Sequence, residues 1–272
     1  MKPGRFEGKV AIVTGSSRGI GKAIARLLAE HGAAVVLNGR NPERLASAEK
    51  ELLAIHDRVL SVSADVSTPE GGQLLVGKAL ERFGRIDILI NNVGVSMRGR
   101  FAGLDPSVFD SMFKSNVAGA VSPSIAALPS LRETKGSLVF ITSLAGIRGL
   151  PGLSAYSSAK MSLRAIAESI RIEEKSHGIH VGLIYVGYTE NEAGKETVAA
   201  DGSLVKIAPR SGKGVQTMES VARAVFKTIS RRKFISVLTP IGKLNAVMQR
   251  FFPRLVEWII LANLEKFEER SK

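Results

Sequence analysis

Tyr156 and Lys160 lie four residues apart, in a segment whose apolar residues continue at helical spacing. Four residues make about one helical turn, so both side chains are predicted to face the same way. A phenol titrates near ~10 in water, and a lysine ammonium one turn away would lower its pKa towards neutrality. Ser143 follows an apolar run and could present its hydroxyl at the same point. A pair of this spacing also occurs on ordinary surface helices, so the rest of the chain decides its meaning.

A glycine-rich turn supplies the first such context. An apolar run at residues 10–13 is followed by the glycine-rich segment 14–21 and then by apolar residues at helical spacing. Glycines let the backbone approach a pyrophosphate, and a helix N-terminus offers unpaired N–H groups and partial positive charge. Such a turn can be plain loop chemistry, but at the first strand-to-helix junction it favours nucleotide binding. The candidate cofactor contacts here are Gly15, Ser17, Arg18, Gly19, Ile20 and Gly21.

The end of the second predicted strand, residues 33–37, bears on which cofactor binds. Folds of this kind meet the adenosine ribose there, and an acidic residue would accept the 2′-hydroxyl and repel a 2′-phosphate. This chain instead has Arg40, with Arg18 in the glycine turn. Two guanidinium groups suit a phosphate, so the sequence favours NADP(H) over NAD(H). The alternative is that both arginines are solvated surface residues.

Strands and helices alternate along most of the chain, which predicts an α/β fold with a parallel, doubly wound sheet. The predicted strands are residues 10–13, 33–37, 58–62, 86–90, 138–141, 180–185 and 234–238. The ligand crevice of such a sheet lies at the carboxyl ends of the strands. Further candidate cofactor contacts at these ends are Asp65, Val66, Asn92, Gly94, Gly187 and Thr189.

Two segments near these ends carry further expectations. A long helix is predicted to begin at Asp105, to contain Asn116 and to bend at Pro123, because a proline inside a helix removes a hydrogen bond. The Asn116 amide then needs a partner, such as bent backbone or a trapped water. Residues 190–216 are rich in glycine and charge with little periodicity, which predicts a mobile flap over the site.

Composition narrows the class of protein. In 272 residues, 44% are hydrophobic, enough for a sizeable core, and no cysteine is present, which removes disulfides and thiolate chemistry. The histidines show no metal-ligand spacing, so no metal site is predicted. The formal charge is +13, and the chain from residue 204 onward holds 14 Lys and Arg against 5 Asp and Glu. No nucleic-acid motif accompanies this charge, so a solvated surface is the main interpretation and nucleic-acid binding is not expected.

The chain is interpreted as a single domain over residues 1–238, followed by an apolar and basic helical extension of the same domain over 239–272. The extension could cover the substrate pocket, pack on a second subunit or lie at a membrane interface; its apolar runs are too short to span a bilayer. The N-terminus lacks the apolar stretch of a signal peptide, and a cytoplasmic location is expected, with a position peripheral to a membrane as the alternative.

The motifs together resemble the short-chain dehydrogenases/reductases of the Tyr-x-x-x-Lys type, from about residue 7 to at least residue 234. The matching residues are Thr14 to Gly21, Asp65, Asn91 to Gly94, Asn116, Ser143 and Tyr156 to Lys160. Two departures are visible: Val93 stands where the family usually has alanine, and Val186 where it usually has proline before Gly187. The resemblance implies a single-domain Rossmann-type fold with helices on both faces of the sheet, and a nicotinamide cofactor.

The resemblance also implies a catalytic set of Asn116, Ser143, Tyr156 and Lys160, with Tyr156 and Lys160 also contacting the cofactor. Tyr156 would protonate a carbonyl oxygen, Ser143 would stabilise it, Lys160 would hold the nicotinamide ribose, and Asn116 would anchor a water. The expected function is NADP(H)-dependent interconversion of a carbonyl and a secondary alcohol, on an apolar or lipid-like ketone. A cofactor-sensing protein without catalysis and a membrane-surface lipid ketone reductase are the alternatives. The family also implies a homodimer or homotetramer.

Overall fold

The computed structural model of the chain describes residues 4–192, 194–212 and 214–264. Its strands are β1 (Val10–Val13), β2 (Ala34–Gly39), β3 (Val59–Ser63), β4 (Ile88–Asn91), β5 (Ser137–Ser143), β6 (His180–Val186), β7 (Glu196–Val198), β8 (Leu204–Lys206) and β9 (Ile235–Val237). Seven of them form one sheet in the order β3-β2-β1-β4-β5-β6-β9, in which every neighbouring pair is parallel. The predicted parallel sheet is confirmed.

Helices cover both faces of the sheet. They are α1 (Gly19–Glu30), α2 (Pro42–Leu53), α3 (Pro69–Phe83), α4 (Ser107–Phe113), α5 (Gly119–Thr134), α6 (Ser154–Glu173), α7 (Met218–Ser230), α8 (Pro240–Phe251) and α9 (Pro253–Leu261). Helices α1, α2 and α7 pack on one face, and α3, α5 and α6 on the other. Alternate residues of β1 enter the two cores, Ala11 and Val13 on one side and Val10 and Ile12 on the other, as the strand period of two requires. This is the doubly wound, single-domain Rossmann-type arrangement.

The strand order reverses between β1 and β4, because β1 leads to a helix on one face and β4 is reached from a helix on the other. Such a reversal leaves a crevice at the carboxyl ends of the two strands. Local signals place the flanking helices: Asn41 Oδ1 accepts the N–H of Arg44 at the start of α2, and Thr68 Oγ1 accepts the N–H of Gly71 at the start of α3.

A buried carboxylate ties the opposite, amino end of the sheet together. Asp87 is 4% exposed and accepts hydrogen bonds from Lys9 Nζ at 2.9 Å, from Arg85 Nε at 2.8 Å and from the N–H of Val10 at 3.0 Å. Burial alone would raise the Asp87 pKa, but these hydrogen bonds and the two cations bring that pKa below its ordinary value. The cluster is therefore structural.

The helix around Asn116 differs from the prediction. The chain passes through Pro123 in regular α5, and the irregularity lies earlier, in a π-helical turn at Lys114–Ala118 between α4 and α5. The ring of a proline inside a helix clashes with the carbonyl group four residues before it, here that of Gly119. The wider π-helical turn lies immediately before Gly119. Asn116 sits inside that turn, so the distortion falls at the residue of functional interest.

Residues 190–216 also differ from the expected flap without regular structure. Within the described part of this segment, β7 and β8 form an antiparallel hairpin, and Val198 of β7 forms a bridge with Met97. Val198 is 5% exposed and packs with Met97 in a small apolar cluster. The overlooked signal is the Asp201-Gly202 dipeptide between Thr197-Val198 and Leu204-Val205, since Gly202 adopts a φ of +85° that a tight turn requires.

Helices α8 and α9 follow the last strand and contact each other. Their large apolar side chains are exposed: Ile241, Leu244, Val247, Phe251, Phe252, Leu255, Trp258, Ile259 and Leu261. None of the helices in the described part of the chain is both long and apolar enough to cross a membrane. The boundary between 1–238 and 239–272 stays a prediction, and residues 1–3 and 265–272 lie outside the described residues.

Candidate active site

The glycine turn after β1 requires glycine for two reasons, its backbone conformation and its close contacts. Gly15 and Gly19 both adopt a φ of +60°, the left-handed region that favours glycine. A Cβ on Gly21 would lie 2.4 Å from the carbonyl oxygen of Gly15. The side chain of Asn92 donates to the carbonyl oxygens of Thr14 at 3.0 Å and Gly15 at 3.1 Å, which fixes the turn against the end of β4. The sequence therefore builds a tight backbone concavity here.

An anion occupies the amino end of α1. The N–H of Gly19 donates to Glu192 Oε1 at 2.9 Å. The side chain of Arg18, the residue before the helix, does not cap it. A helix N-terminus favours negative charge through its unpaired N–H groups and its dipole. The carboxylate stands where a phosphate oxygen could bind, so the residues present fit the pyrophosphate of a dinucleotide.

Three arginines line the cleft near the ends of β2 and β3. Arg18 and Arg40 were predicted here, and Arg44, in the first turn of α2, was missed. The signal for Arg44 was its place three residues after the Asn41 cap, which turns it towards the same edge of the sheet. Asp65 lies beside them; burial would raise its pKa, but hydrogen bonds from Ser67 and the charge of Arg40 hold it below its ordinary value. This end of the cleft is suited to a phosphate-bearing nucleoside.

Ser143, Tyr156 and Lys160 meet on the other side of the glycine turn. Ser143 is the last residue of β5, and Tyr156 and Lys160 lie on the first turns of α6. Ser143 and Tyr156 are joined by a side-chain hydrogen bond. Lys160 is 5% exposed; its Nζ donates to the carbonyl oxygen of Ile141 at 3.2 Å and lies 5.9 Å from the centre of the Tyr156 ring. The predicted common face of the helix therefore holds.

The pKa of Tyr156 moves opposite to the sequence-based expectation. Burial raises the pKa of the phenol, against the hydrogen bond with Ser143 and the charge of Arg210. Burial, with the charge of Lys195, lowers the pKa of Lys160 to about 8. The expectation failed because it weighed the neighbouring charge and left out the loss of water around the phenol.

Asn116 lies behind Lys160 and does not line the cleft. It is fully buried, and its Nδ2 donates to the carbonyl oxygens of Val95 at 3.0 Å and Met112 at 3.1 Å. Its Oδ1 has no hydrogen-bond partner among the described residues. A Cβ built on Gly94 would lie 2.4 Å from this Oδ1 and 3.0 Å from Lys160 Nζ, so the bare backbone of Gly94 fills the space between them.

All other predicted site residues line one cleft of about 850 Å³. The cleft includes Val66, Gly187 and Thr189, and Thr189 Oγ1 donates to the carbonyl oxygen of Gly187 at 3.1 Å. Its size falls within the range of small-molecule sites, roughly 300–1,000 Å³. The site residues predicted from the sequence, apart from Asn116, therefore lie together in one cleft.

Residues at the far end of the cleft were missed. Arg98, Tyr188, Lys195 and Arg210 line it together with the apolar Leu144, Leu150, Leu153 and Met218. These residues come from separate loops that meet only in the folded chain. No spacing in the sequence links them, so no local signal could have found them.

A glycine-shaped anion site, a Ser-Tyr-Lys set and a switch point between β1 and β4 define a dinucleotide-dependent oxidoreductase of the α/β class. Comparison with known proteins agrees: the family model described as short chain dehydrogenase matches residues 9–202. The chain therefore belongs to the short-chain dehydrogenase/reductase family, and it is an NAD(P)(H)-dependent enzyme that acts on CH–OH groups.

The relatives include proteins with named substrates. A 3-dehydrosphinganine reductase of Danio rerio is 34% identical over 247 residues, which is 89% of this chain and 74% of that protein. A 3-ketodihydrosphingosine reductase of Bos taurus is 38% identical over 190 residues, 68% of this chain and 57% of that protein. Among solved structures, an alcohol dehydrogenase from Thermococcus sibiricus complexed with 5-hydroxy-NADP is 31% identical, with a TM-score of 0.74 over 85% of this chain and 95% of that chain.

Proposed function

We propose that the protein reduces the ketone of a lipid-like substrate to a secondary alcohol, with NADPH as the cofactor. The observation that carries this proposal is the hydrogen-bonded Ser143–Tyr156 pair beside Lys160, in the same cleft as the anion-binding glycine turn. Bound NADPH would supply the hydride. The residues of the chain would bind the substrate, orient its carbonyl and provide the proton.

Tyr156 is the proposed general acid. Because burial raises the pKa of its phenol, the group is protonated at neutral pH and ready to donate to a carbonyl oxygen. The Ser143 hydroxyl would donate to the same oxygen as negative charge develops there, a contribution of about 2–4 kcal/mol if it acts as an oxyanion donor.

Lys160 and Asn116 are proposed to support that proton transfer. With a pKa of about 8, Lys160 is mostly charged at neutral pH and can stabilise a phenolate left after proton donation. It would also hydrogen-bond the ribose next to the nicotinamide. The buried Oδ1 of Asn116 has no protein partner and faces the space beside Lys160, which suits a water that returns protons to Lys160.

The cofactor preference is argued from charge. Arg18, Arg40 and Arg44 meet at one end of the cleft, and a 2′-phosphate would give them a counter-charge that a 2′-hydroxyl would not. The other proposed contacts are the backbone of Gly15, Ser17, Gly19, Ile20 and Gly21 for the pyrophosphate, Asp65, Val66, Asn92 and Gly94 for the adenosine side, and Gly187 and Thr189 for the nicotinamide.

The lipid-like substrate is supported by two observations. The relatives from Danio rerio and Bos taurus are named for 3-dehydrosphinganine and 3-ketodihydrosphingosine. The cleft wall beyond Tyr156 carries Leu144, Leu150 and Leu153, which suit an alkyl chain.

The test is the loss of NADPH absorbance with purified protein over ketones of increasing chain length, with NADH run in parallel. Tyr156→Phe should abolish turnover, because it removes the donated proton, and should leave the NADPH dissociation constant within about twofold. Ser158→Ala, a half-buried residue of the same helical turn that does not line the cleft, is the matched control and should keep wild-type turnover. Unchanged turnover in Tyr156→Phe would reject the mechanism. Tight NADPH binding without turnover of any ketone would favour the cofactor-sensing alternative.

Peripheral membrane contact is proposed for α8 and α9. Phe251, Phe252 and Trp258 are each more than half exposed, and at roughly 150–250 Å² per aromatic side chain they alone present on the order of 350 Å² of apolar surface. Lys243 and Arg250 flank the apolar face of α8 and would meet anionic lipid.

Trp258 is the only tryptophan of the chain, so its fluorescence reports on this surface directly. Its emission should shift to the blue with anionic vesicles and shift less with zwitterionic ones. An unshifted spectrum with both would reject membrane contact.

Assembly and location follow the family expectation. We propose a homodimer or homotetramer built on the outer faces of α5 and α6, where Ile125 and Met161 are exposed. Analytical ultracentrifugation of the purified protein tests this assembly. The cytoplasmic location stays a prediction from the sequence.

A further inference from the structure

We propose that the ketone substrate carries an anionic group, a carboxylate or a phosphate monoester, and that Arg98 and Arg210 bind it. This inference rests on the proposed function and specifies its substrate class. It concerns the far end of the cleft, beyond Tyr156, where the residues named above as missed by the sequence come together.

Both arginines line the cleft beside Tyr188. The guanidinium carbon of Arg210 lies 4.4 Å from the centre of the Tyr188 ring. The backbone is fixed as well: the N–H of Arg98 donates to the carbonyl oxygen of Val198 at 2.8 Å, and the N–H of Arg210 donates to Asn191 Oδ1 at 2.9 Å. Two guanidinium groups are thus oriented in advance.

Neither arginine has a carboxylate partner in the part of the chain that the structure describes. Arg210 Nε is buried and has no hydrogen-bond partner there. Burial and the charge of Arg210 both lower the pKa of Arg98, which means that each cation raises the free energy of the other. An unpaired buried donor is unfavourable, and so is the repulsion between the two guanidinium groups. An anion bound to both arginines would relieve both of these costs.

The nearby acidic residues do not serve as that anion. Glu190 accepts the N–H of Met218 at 2.8 Å, and Glu192 accepts the N–H of Gly19. Each carboxylate is therefore engaged at a helix start. Two lining acids remain: Asp65 accepts hydrogen bonds from Ser67, and Glu196 lies on the hairpin and is exposed.

The position of the pair points to the substrate and not to the cofactor. Arg210 stacks on Tyr188, and Tyr188 directly follows Gly187, the proposed nicotinamide contact after β6. The proposed phosphate contacts, Arg18, Arg40 and Arg44, instead follow β1 and β2. Lys195 also lines the cleft and could serve either ligand.

The experiment compares four ketones of equal chain length: a keto acid, its methyl ester, a ketone with a terminal phosphate monoester and an amino ketone. With the full-length wild type and NADPH, kcat/KM for the keto acid or the phosphate should exceed that of the ester by roughly 10- to 100-fold, as expected for charge-assisted hydrogen bonds. The amino ketone should be the poorest substrate, because it brings a cation to two arginines. The lipids named for the relatives are amino ketones, so this chain should resemble those relatives in the alkyl chain of its substrate and differ from them in the charge of the head group. The keto acid and phosphate arms identify which anion the site prefers.

Arg98→Gln and Arg210→Gln should each remove most of that advantage through KM, so that the ratio of kcat/KM for the keto acid to kcat/KM for the ester falls towards one. Arg223→Gln, an exposed arginine on α7, is the matched control and should change nothing. Equal kcat/KM values for the ester and the keto acid would overturn the inference, and so would a preference for the amino ketone. Either result would leave the proposed function intact. No turnover of any of the four ketones would overturn both.

Discussion

Gly94→Ala is the sharpest test of the geometry around Lys160. The added methyl group would lie 2.4 Å from Asn116 Oδ1 and 3.0 Å from Lys160 Nζ, where ordinary contacts exceed 3.4 Å. Asn116 cannot retreat easily, because its Nδ2 is bonded to two carbonyl oxygens and the residue is fully buried. The Gly94 backbone must therefore move by about 1 Å to relieve the contact with Asn116, and Lys160 Nζ must give way by a few tenths of an ångström.

A displacement of about 1 Å in the backbone between two groups of an active site can cost on the order of 10²-fold in rate. We expect kcat for ketone reduction with saturating NADPH to fall by about that factor. The free energy of unfolding should fall by about 1–3 kcal/mol, as in other overpacked sites. Steady-state kinetics and urea denaturation of the same preparation measure the two effects separately.

The matched control is Gly77→Ala in the middle of α3, where a Cβ would meet nothing within 4 Å. It should leave kcat unchanged and stabilise the protein by about 0.5–1 kcal/mol, because alanine loses less entropy than glycine on entering a helix. If Gly94→Ala kept wild-type kcat, then Asn116 and Lys160 would not need their present separation. The proposed proton path would be refuted.

Three further predictions follow from charge. The value of kcat/KM should fall as the pH rises through about 8, because Lys160 loses its charge there, and a flat profile from pH 7 to 9 would contradict this role. Glu192→Gln should tighten NADPH binding by about two- to fivefold in calorimetry, because the carboxylate no longer competes for the amino end of α1, and weaker binding would contradict that competition. Asp87→Asn should lower the free energy of unfolding by about 2–4 kcal/mol at pH 7. Because the Asp87 pKa lies below its ordinary 3.8, the wild type should lose this advantage as the pH falls below about 4.

The sequence was sufficient to predict those structural features whose physical cause lies within a few residues. The starts of α2 and α3 have such a cause, because the side chains of Asn41 and Thr68 each accept a hydrogen bond from the N–H three residues further on. The glycine turn was predictable because φ values of +60° need glycine. The parallel sheet then brought the residues at the strand ends together without further information.

Features that depend on distant contacts escaped the sequence. The π-helical turn at Asn116 and the hairpin at β7 and β8 form against other parts of the chain, so local periodicity did not indicate them. Arg98 and Arg210 line the cleft beside Tyr188, from three separate loops. The raised pKa of Tyr156 depends on how much water the fold removes from the phenol, which residue spacing does not encode.

The contact between Glu192 and Gly19 also has a kinetic consequence. Glu192 belongs to the same segment as Arg210, and Asn191 joins the two by its hydrogen bond to the Arg210 N–H. A phosphate that displaces the Glu192 carboxylate therefore also alters the backbone that carries the substrate-side arginine. By linkage, cofactor and substrate then change each other's affinity by the same factor. We expect a compulsory order of addition, with NADPH first and its oxidised form released last, and product-inhibition patterns should show the oxidised cofactor competing with NADPH alone.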